Sequence, residues 1–295
     1  MRHAKIPFPC VFGISCLICL LSLLTIGCPR PAAGPIAPAR PELTVAAAAD
    51  LQVAFTELAR QFEHEEGCRV VLTFGSTGQL AQQIEHGLPV DIFAAANVAY
   101  LKPLEQKKLV LADSTQIFAR GHIVLVVSKR SGISVRGLND LLSSDVKHIA
   151  IANPAHAPYG VAARQALERQ GLWPQVESKI VLGENVHQAL QYVETGNAEA
   201  GIVALSIAQG AKVEHTLIDE SLHEPLDQAL AIVAGTNQES LARRFIAFVN
   251  GPTGRPVMKK YGFVLPVEVP SEAASAQAVK GEASPAHELR SGHDR

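Results

Sequence analysis

The sequence predicts an α/β protein with two lobes, each a mostly parallel sheet flanked by helices, joined by a two-strand hinge. Short apolar runs of strand length alternate with amphipathic segments of helical period, which is typical of βαβ units. This alternation occurs twice, on either side of a long apolar strand at residues 123–128. The region from about residue 42 to residue 266 is also long enough to bury a substantial core.

The first lobe is predicted to begin with a strand at residues 43–48. Asp50 then opens a segment in which apolar residues recur at helical spacing until Gly67 ends it. The elements predicted after it are a strand at 69–74, a helix at 79–86 and a strand at 90–94.

The second lobe is predicted to begin at the strand 123–128 and to repeat the alternation. Its other elements are strands at 148–152, 179–182 and 200–204 and helices at 161–170 and 186–195. The apolar run 229–233 is predicted to return beside the strand 123–128, and an amphipathic helix follows at 240–250. We therefore expect a first lobe of residues 42–122 and 229–266 and a second lobe of residues 123–228.

Residues 1–28 have the pattern of a secretory signal, in which a short positive stretch precedes an apolar run. Residues 24–28 resemble a bacterial lipoprotein signal, whose cysteine, here Cys28, carries the lipid. The alternatives are an uncleaved membrane anchor and a soluble periplasmic protein cleaved further along the chain. Residues 29–41, rich in Pro and Ala, are predicted to form a semi-rigid linker, and residues 267–295 a disordered tail.

Cysteine usage and charge narrow the classes of protein. Three of the five cysteines lie in the predicted leader, and with Cys28 lipidated only Cys68 remains, so that no disulfide is expected within the mature chain. The net charge is −2, and no basic cluster with interleaved aromatic residues is present, so nucleic-acid binding is not expected. An anion site in this chain must therefore use local dipoles.

Four segments are predicted to be helix N-termini that follow strands. A helix start presents unpaired backbone N–H groups and the positive end of the helix dipole, which together favour an anion. Because ligands of open α/β sheets bind beyond the carboxyl ends of the strands, all four segments are expected at one cleft. They are residues 49–51, 75–78, 157–160 and 184–186.

These segments belong to a longer series that resembles the molybdate-binding proteins of bacterial ABC importers, over about residues 43–266. Together and in this order the motifs are specific, although each alone is weak. They are VAAAADL at 45–51, FGSTG at 74–78, LAQQI at 80–84, PVDIF at 89–93, NPAHAPYG at 153–160, ENV at 184–186, GIV at 201–203 and KYGF at 260–263.

The resemblance implies a two-lobe, type II periplasmic binding protein that captures molybdate or tungstate and delivers it to an ABC permease in the inner membrane. It implies no enzymatic activity, no cofactor and no metal beyond the molybdenum of the bound oxyanion. It also implies a monomer in the periplasm or cell envelope, where Cys28 can provide a lipid anchor. In this family neutral backbone N–H groups and hydroxyls hold the dianion.

Carried over by position, the resemblance implies five ligand-binding residues. The first site falls on Asp50, where many relatives have serine, and the second on Thr77 beside Ser76. The third falls on Tyr159 and the fourth on Val186, both expected to contribute backbone N–H groups.

Two positions depart from the family pattern. At Ala204 some relatives place a tyrosine hydroxyl, and Tyr159 in the opposite wall is a candidate to supply that hydroxyl instead. Asp50 introduces a carboxylate beside a dianion. We expect its side chain to serve as an N-cap that bonds the N–H of Gln52 or Val53. The alternative is that Asp50 ligates the metal directly, which would require further carboxylates.

Three other functions remain as alternatives. A binding protein for another oxyanion, such as sulfate, is compatible with the missing tyrosine at Ala204. A periplasmic hydrolase would need an activated nucleophile, but the sequence contains no G-x-S-x-G motif, no P-loop and no His/Cys metal pattern. The effector-binding part of a transcription regulator shares the architecture, yet the leader and the absence of a helix-turn-helix pattern argue against it.

Overall fold

The structure, a computed structural model, describes residues 40–129 and 131–266. The predicted signal segment, the lipidation site Cys28, almost all of the linker and the tail 267–295 lie outside the described residues. Within the described part of the chain, no helix is long and apolar enough to cross a membrane.

Ten strands and nine α-helices make up this part of the chain. The strands are β1 (Glu42–Ala48), β2 (Arg69–Gly75), β3 (Ile92–Ala95), β4 (Gln116–Gly121), β5 (Ile123–Ser128), β6 (Ile149–Ala152), β7 (Ile180–Gly183), β8 (Ala200–Ala204), β9 (Val213–Leu217) and β10 (Leu226–Ile232). The helices are α1 (Gln52–Glu66), α2 (Thr77–Glu85), α3 (Lys102–Gln106), α4 (Pro158–Arg169), α5 (Trp173–Val176), α6 (Val186–Thr195), α7 (Leu205–Ala208), α8 (Glu239–Asn250) and α9 (Gly254–Lys260).

The strands form two five-stranded sheets with the same topology, which confirms the predicted two-lobe α/β class. The first sheet has the order β2-β1-β3-β10-β4 and the second the order β7-β6-β8-β5-β9. In both, a βαβαβ unit supplies three neighbouring strands, β1 to β3 in the first sheet and β6 to β8 in the second. We call each sheet with its flanking helices a lobe.

The sheets are mixed rather than mostly parallel, which corrects the prediction. In each sheet two pairings are parallel and two are antiparallel. The antiparallel pairings involve the strands that arrive from the other lobe, β5 in the second sheet and β10 in the first. Hydrophobic periodicity identifies a strand but carries no information about its direction, so these pairings were not visible in the sequence.

The strand predicted at 229–233 was given the wrong neighbouring strand. It forms part of β10, which begins at Leu226 and lies between β3 and β4, whereas we expected it beside β5. Residues 226–228, assigned by the sequence to the second lobe, therefore belong to the first sheet. The chain passes between the sheets at His122, which separates β4 from β5, and again between β9 and β10.

The first lobe is held together by aromatic packing between α1 and the C-terminal helix α8. Phe62 of α1 lies edge-on to Phe245 and Phe248 of α8, with ring centroids 5.1 and 5.3 Å apart. Phe55, about two helical turns earlier, contacts Phe245 and Phe118 of β4. All of these rings except the partly buried Phe248 are fully buried, and they contribute a large share of the apolar area that stabilises the lobe. Cys68 is a buried free thiol.

Candidate functional site

A small cavity of about 10 Å³ lies between the lobes, at the carboxyl ends of the parallel strands. All five residues predicted to bind the oxyanion line it, and all five are buried. The first lobe contributes Ala48, Ala49, Asp50, Gly75, Ser76, Thr77 and Ala96, and the second lobe contributes Ala157, Pro158, Tyr159, Asn185 and Val186.

Three helices direct their N-termini at this cavity. Thr77 is the first residue of α2 and Val186 the first residue of α6, while Tyr159 is the second residue of α4, directly after Pro158. Proline suits that first position because it has no N–H to satisfy and its φ is helical. The first backbone N–H groups of a helix have no intrahelical acceptor, so each helix offers donors here.

The side-chain cap provided by Asn185 leaves one of these N–H donors available to the cavity. Its side-chain oxygen caps α6 by accepting from the N–H groups of His187 and Gln188, at 3.0 and 3.1 Å. The cap satisfies the second and third residues of the helix and leaves the N–H of Val186 for the cavity. The side chain of Val186 is buried, so the residue matters through its backbone.

Thr77 contributes a hydroxyl as well as its backbone N–H. Its Oγ1 accepts from the N–H of Ala96, with an N–O distance of 3.2 Å. Since that bond uses a lone pair, the hydroxyl proton stays available to donate to a group in the cavity.

Ser76, in contrast, uses its hydroxyl to join the two lobes. Its Oγ donates to the carbonyl oxygen of His156 at 2.7 Å and lies 2.8 Å from Nδ1 of the same residue. The carbonyl has no proton, so the serine must donate to it and Nδ1 must donate to the serine. His156 is therefore not a general base toward Ser76, and the pair does not form an activated nucleophile.

Further contacts close the cleft beside Ser76. The N–H of Gly78 donates to the His156 carbonyl at 2.8 Å, and the side chain of Gln79 donates to Glu184 across the cleft. On the other side of the cavity, Ser206 of α7 donates to the backbone oxygen of Asp50 at 2.8 Å. The lobes are therefore in direct contact around the cavity.

The expectation that Asp50 is an N-cap is wrong. A short 3-10 turn spans Ala49–Leu51, so Asp50 lies inside the turn, and no side chain caps this turn or α1. Instead, Oδ2 of Asp50 accepts from the Tyr159 hydroxyl at 3.0 Å and from the Gln228 side-chain amide. Oδ1 is buried and has no hydrogen-bond partner.

The Tyr159 hydroxyl therefore has partners other than the one suggested by the sequence. It donates to Asp50 and accepts from Gln228 at 3.1 Å, so its single proton is used within the protein. It does not replace the hydroxyl missing at Ala204. That residue is fully buried at the end of β8, opposite Ile123, and does not line the cavity.

The electrostatics of the cavity depend on Asp50. Burial raises the pKa of its carboxyl group to about 6, and the hydrogen bonds from Gln228 and Tyr159 partly oppose that rise. Burial and the neighbouring carboxylate raise the pKa of Tyr159 well above its usual value. The cavity lining contains no lysine or arginine, so dipoles are its source of positive potential.

Gln228 and Ser206 bond to Asp50 of the cavity lining, and sequence reasoning missed both. Gln228 is a fully buried amide in β10 and directly precedes the apolar run ALAI, and a polar residue next to such a run is a signal that can be looked for in a sequence. Ser206 and His156 gave no such signal, because their roles depend on contacts between lobes.

Direct ligation of a metal by Asp50 has no support from the geometry. Among residues 40–129 and 131–266, no three His, Cys, Asp or Glu side chains are grouped so as to hold a metal ion. Asp50 is the one carboxylate in the cavity lining.

Comparison with known proteins places the chain in a family. A family model described as "Bacterial extracellular solute-binding protein" matches residues 43–264. The molybdate-binding protein ModA of Azotobacter vinelandii is 34% identical over 258 residues, which cover 86% of this chain and 99% of that protein. A putative ABC transporter substrate-binding lipoprotein of Bacillus subtilis, YvgL, is 32% identical and covers 82% of this chain and 93% of the relative.

A solved structure agrees with these matches. The periplasmic molybdate-binding protein of Azotobacter vinelandii superimposes with a TM-score of 0.72 and 32% sequence identity, covering 76% of this chain and 99% of that chain. The resemblance drawn from the motifs is thereby confirmed. The chain belongs to the family of bacterial extracellular solute-binding proteins, and its relatives there include the molybdate-binding proteins.

Proposed function

We propose that this protein is the substrate-binding component of a molybdate and tungstate ABC importer. It captures the oxyanion between its lobes and delivers it to a permease in the inner membrane. The observation that carries this proposal is the convergence of three helix N-termini and the Thr77 hydroxyl on one buried cavity without a cation. The molybdate-binding relatives support the same ligand.

The donors suit a tetrahedral dianion. Backbone N–H groups of Thr77, Tyr159 and Val186 approach from three helices in two lobes, so they can reach different oxygens of one small ion. Neutral donors at helix ends stabilise negative charge without a paired cation. Molybdate and tungstate share size and charge, whereas sulfate is smaller, so we expect the size of the closed cavity to discriminate against sulfate.

Capture proceeds by closure of the lobes around the oxyanion. The bonds from Ser76 and Gly78 to the His156 carbonyl, and from Gln79 to Glu184, join the two walls of the cleft. They form as the lobes close and break as the oxyanion is released to the permease. The two chain crossings, at His122 and between β9 and β10, are the places where the lobes can rotate.

We further infer that the protein binds its ligand without transforming it, acts as a monomer and works in the periplasm or cell envelope. The Ser76–His156 pair lacks the proton arrangement of a nucleophile and its base, which argues against a hydrolase. The Bacillus relative is named as a substrate-binding lipoprotein, which supports lipid attachment at Cys28 and tethering next to the permease.

Molybdate is expected to stabilise the fold in a thermal melt. At about a hundredfold excess over its dissociation constant it adds about 2.7 kcal/mol to the free energy of unfolding, which corresponds to roughly 5–10 °C in Tm for a domain of this size. Sulfate and phosphate at the same concentration should shift Tm far less. A shift in Tm with sulfate as large as the shift with molybdate would contradict the assignment of molybdate as the ligand.

Replacement of Thr77 by Val is expected to weaken molybdate binding by about tenfold or more, because one donor to a charged oxygen is lost. The substitution also leaves the Ala96 N–H without its acceptor, so a loss of about 1 kcal/mol in stability is expected. Thr77→Ser keeps the hydroxyl and serves as the control. Titration calorimetry measures the molybdate affinity of both variants. Equal affinities for Thr77→Val and Thr77→Ser would show that the Thr77 hydroxyl does not contact the oxyanion.

A further inference from the structure

The cavity places a carboxylate where a dianion is proposed to bind. Asp50 is the acidic residue of the cavity lining, its side chain is buried, and its Oδ1 has no partner. An ionised carboxylate has only acceptor oxygens, as does the oxyanion. Two acceptors with like charges repel each other strongly in a buried site, because little water is present to screen them.

Asp50 cannot easily turn away from the cavity. Its Oδ2 is held by Tyr159 from α4 and by Gln228 from β10, and its backbone oxygen accepts from Ser206 of α7. These partners come from three elements of both lobes and are themselves buried. The carboxyl group is therefore held in place by hydrogen bonds to one oxygen, while the other oxygen remains unpaired.

Among residues 40–129 and 131–266, no hydrogen bond or ion pair joins a charged side chain to this carboxylate. The groups that contact it, Tyr159 and Gln228, are neutral, and Ser206 is a neutral hydroxyl. Burial lowers the pKa of His187 of α6, which disfavours its charged form. Charged groups on the other packed elements are engaged elsewhere: Glu57 of α1 with Lys260, Arg69 of β2 with Glu42, Arg164 of α4 with Glu168, and Asp227 of β10 with Arg120.

We propose that the oxyanion is bound together with one proton, held between Asp50 Oδ1 and an oxygen of the oxyanion. This inference rests on the proposed function. It adds that Asp50 and the bound oxyanion together carry one shared proton. The proton comes from solvent, and the charge of Asp50 plus molybdate changes from −3 to −2. A carboxylic acid donating to molybdate and a carboxylate accepting from hydrogen molybdate contain the same atoms and the same proton.

The direction of the pH dependence follows from this arrangement. Burial already raises the pKa of Asp50, and a dianion beside it raises the pKa further. Binding is therefore strongest when the free protein is already protonated at Asp50, and it weakens as pH rises through the interval between the free and bound pKa values. Within that interval the affinity falls about tenfold for each pH unit, as expected for uptake of one proton.

The test is calorimetric titration of the mature protein with sodium molybdate at about pH 7.5, in two buffers with different ionisation enthalpies. We expect uptake of close to one proton by the wild type. We also expect the dissociation constant to rise by up to about tenfold per pH unit between about pH 6.5 and 8.5. Asp50→Asn is the matched variant, because its amide donates permanently at the position of Oδ1. It should bind without proton uptake and with a flat pH profile.

Tyr159→Phe provides a second readout. It removes one of the two donors to Oδ2 and so raises the pKa of Asp50, which should move the fall in affinity to higher pH. Wild-type binding with no proton uptake and no pH dependence would overturn the inference, whatever the variants do. Absence of molybdate binding at every pH would instead overturn the proposed function.

Discussion

Replacement of Val186 by Pro is expected to lower molybdate affinity by about ten- to a hundredfold while leaving the fold intact. The substitution removes the N–H at the first position of α6, where proline is well tolerated. The preceding residue, Asn185, already has the extended backbone that proline requires, with φ −148° and ψ 176°. Loss of a hydrogen bond to a charged group costs about 1.5–3 kcal/mol, which gives this range of affinity.

Val186→Ala is the control for this experiment. It retains the N–H and removes two methyl groups from a buried side chain, so stability should fall while affinity stays near the wild-type value. Titration calorimetry and a thermal melt of both variants separate the two effects. Equal affinities for the Pro and Ala variants would show that the start of α6 does not contact the oxyanion.

Replacement of Gly78 by Ala is expected to oppose closure of the lobes. A Cβ at this position would lie 2.6 Å from the carbonyl oxygen and 3.0 Å from the Cα of His156, both backbone atoms of the other lobe. Overpacking of this kind costs about 1–3 kcal/mol, so molybdate affinity should fall by about 5- to 150-fold. The helix itself gains from the exchange, because alanine favours α-helix over glycine.

Gly137→Ala is the matched control for Gly78→Ala. No heavy atom lies within 4 Å of a Cβ at Gly137, and its φ of −150° suits any residue. Both variants should melt near the wild-type temperature without molybdate, and only Gly78→Ala should lose affinity. If Gly78→Ala binds molybdate as the wild type does, the contact with His156 is not part of the bound state.

The sequence was sufficient to predict the helices and strands whose hydrophobic residues recur at a clear helical or strand period. The helix at 186–195 and the strands at 123–128 and 200–204 have the predicted bounds, and most other predicted elements begin or end within a few residues. β4 and β9 were not predicted. Both are edge strands with several exposed residues, so they lack the continuous apolar pattern of the central strands.

The position of the site was more predictable than its side-chain contacts. Helix starts after parallel strands are local features, so Thr77, Tyr159 and Val186 could be placed at one cavity from sequence alone. The partners of Asp50 come from residues 109 and 178 positions away, and Ser76 meets His156 across 80 positions. These contacts depend on how the two lobes pack against each other, and a local sequence pattern does not predict that packing.

We propose above all that the cavity around Thr77, Tyr159 and Val186 binds a tetrahedral oxyanion of molybdenum or tungsten. The most direct test is a crystal structure of the mature protein with tungstate, in which anomalous scattering locates the tungsten atom. We predict one strong peak between the lobes, with oxyanion oxygens within hydrogen-bond distance of the N–H groups of these three residues. A tungsten peak elsewhere, with this cavity free of anomalous signal, would contradict the account.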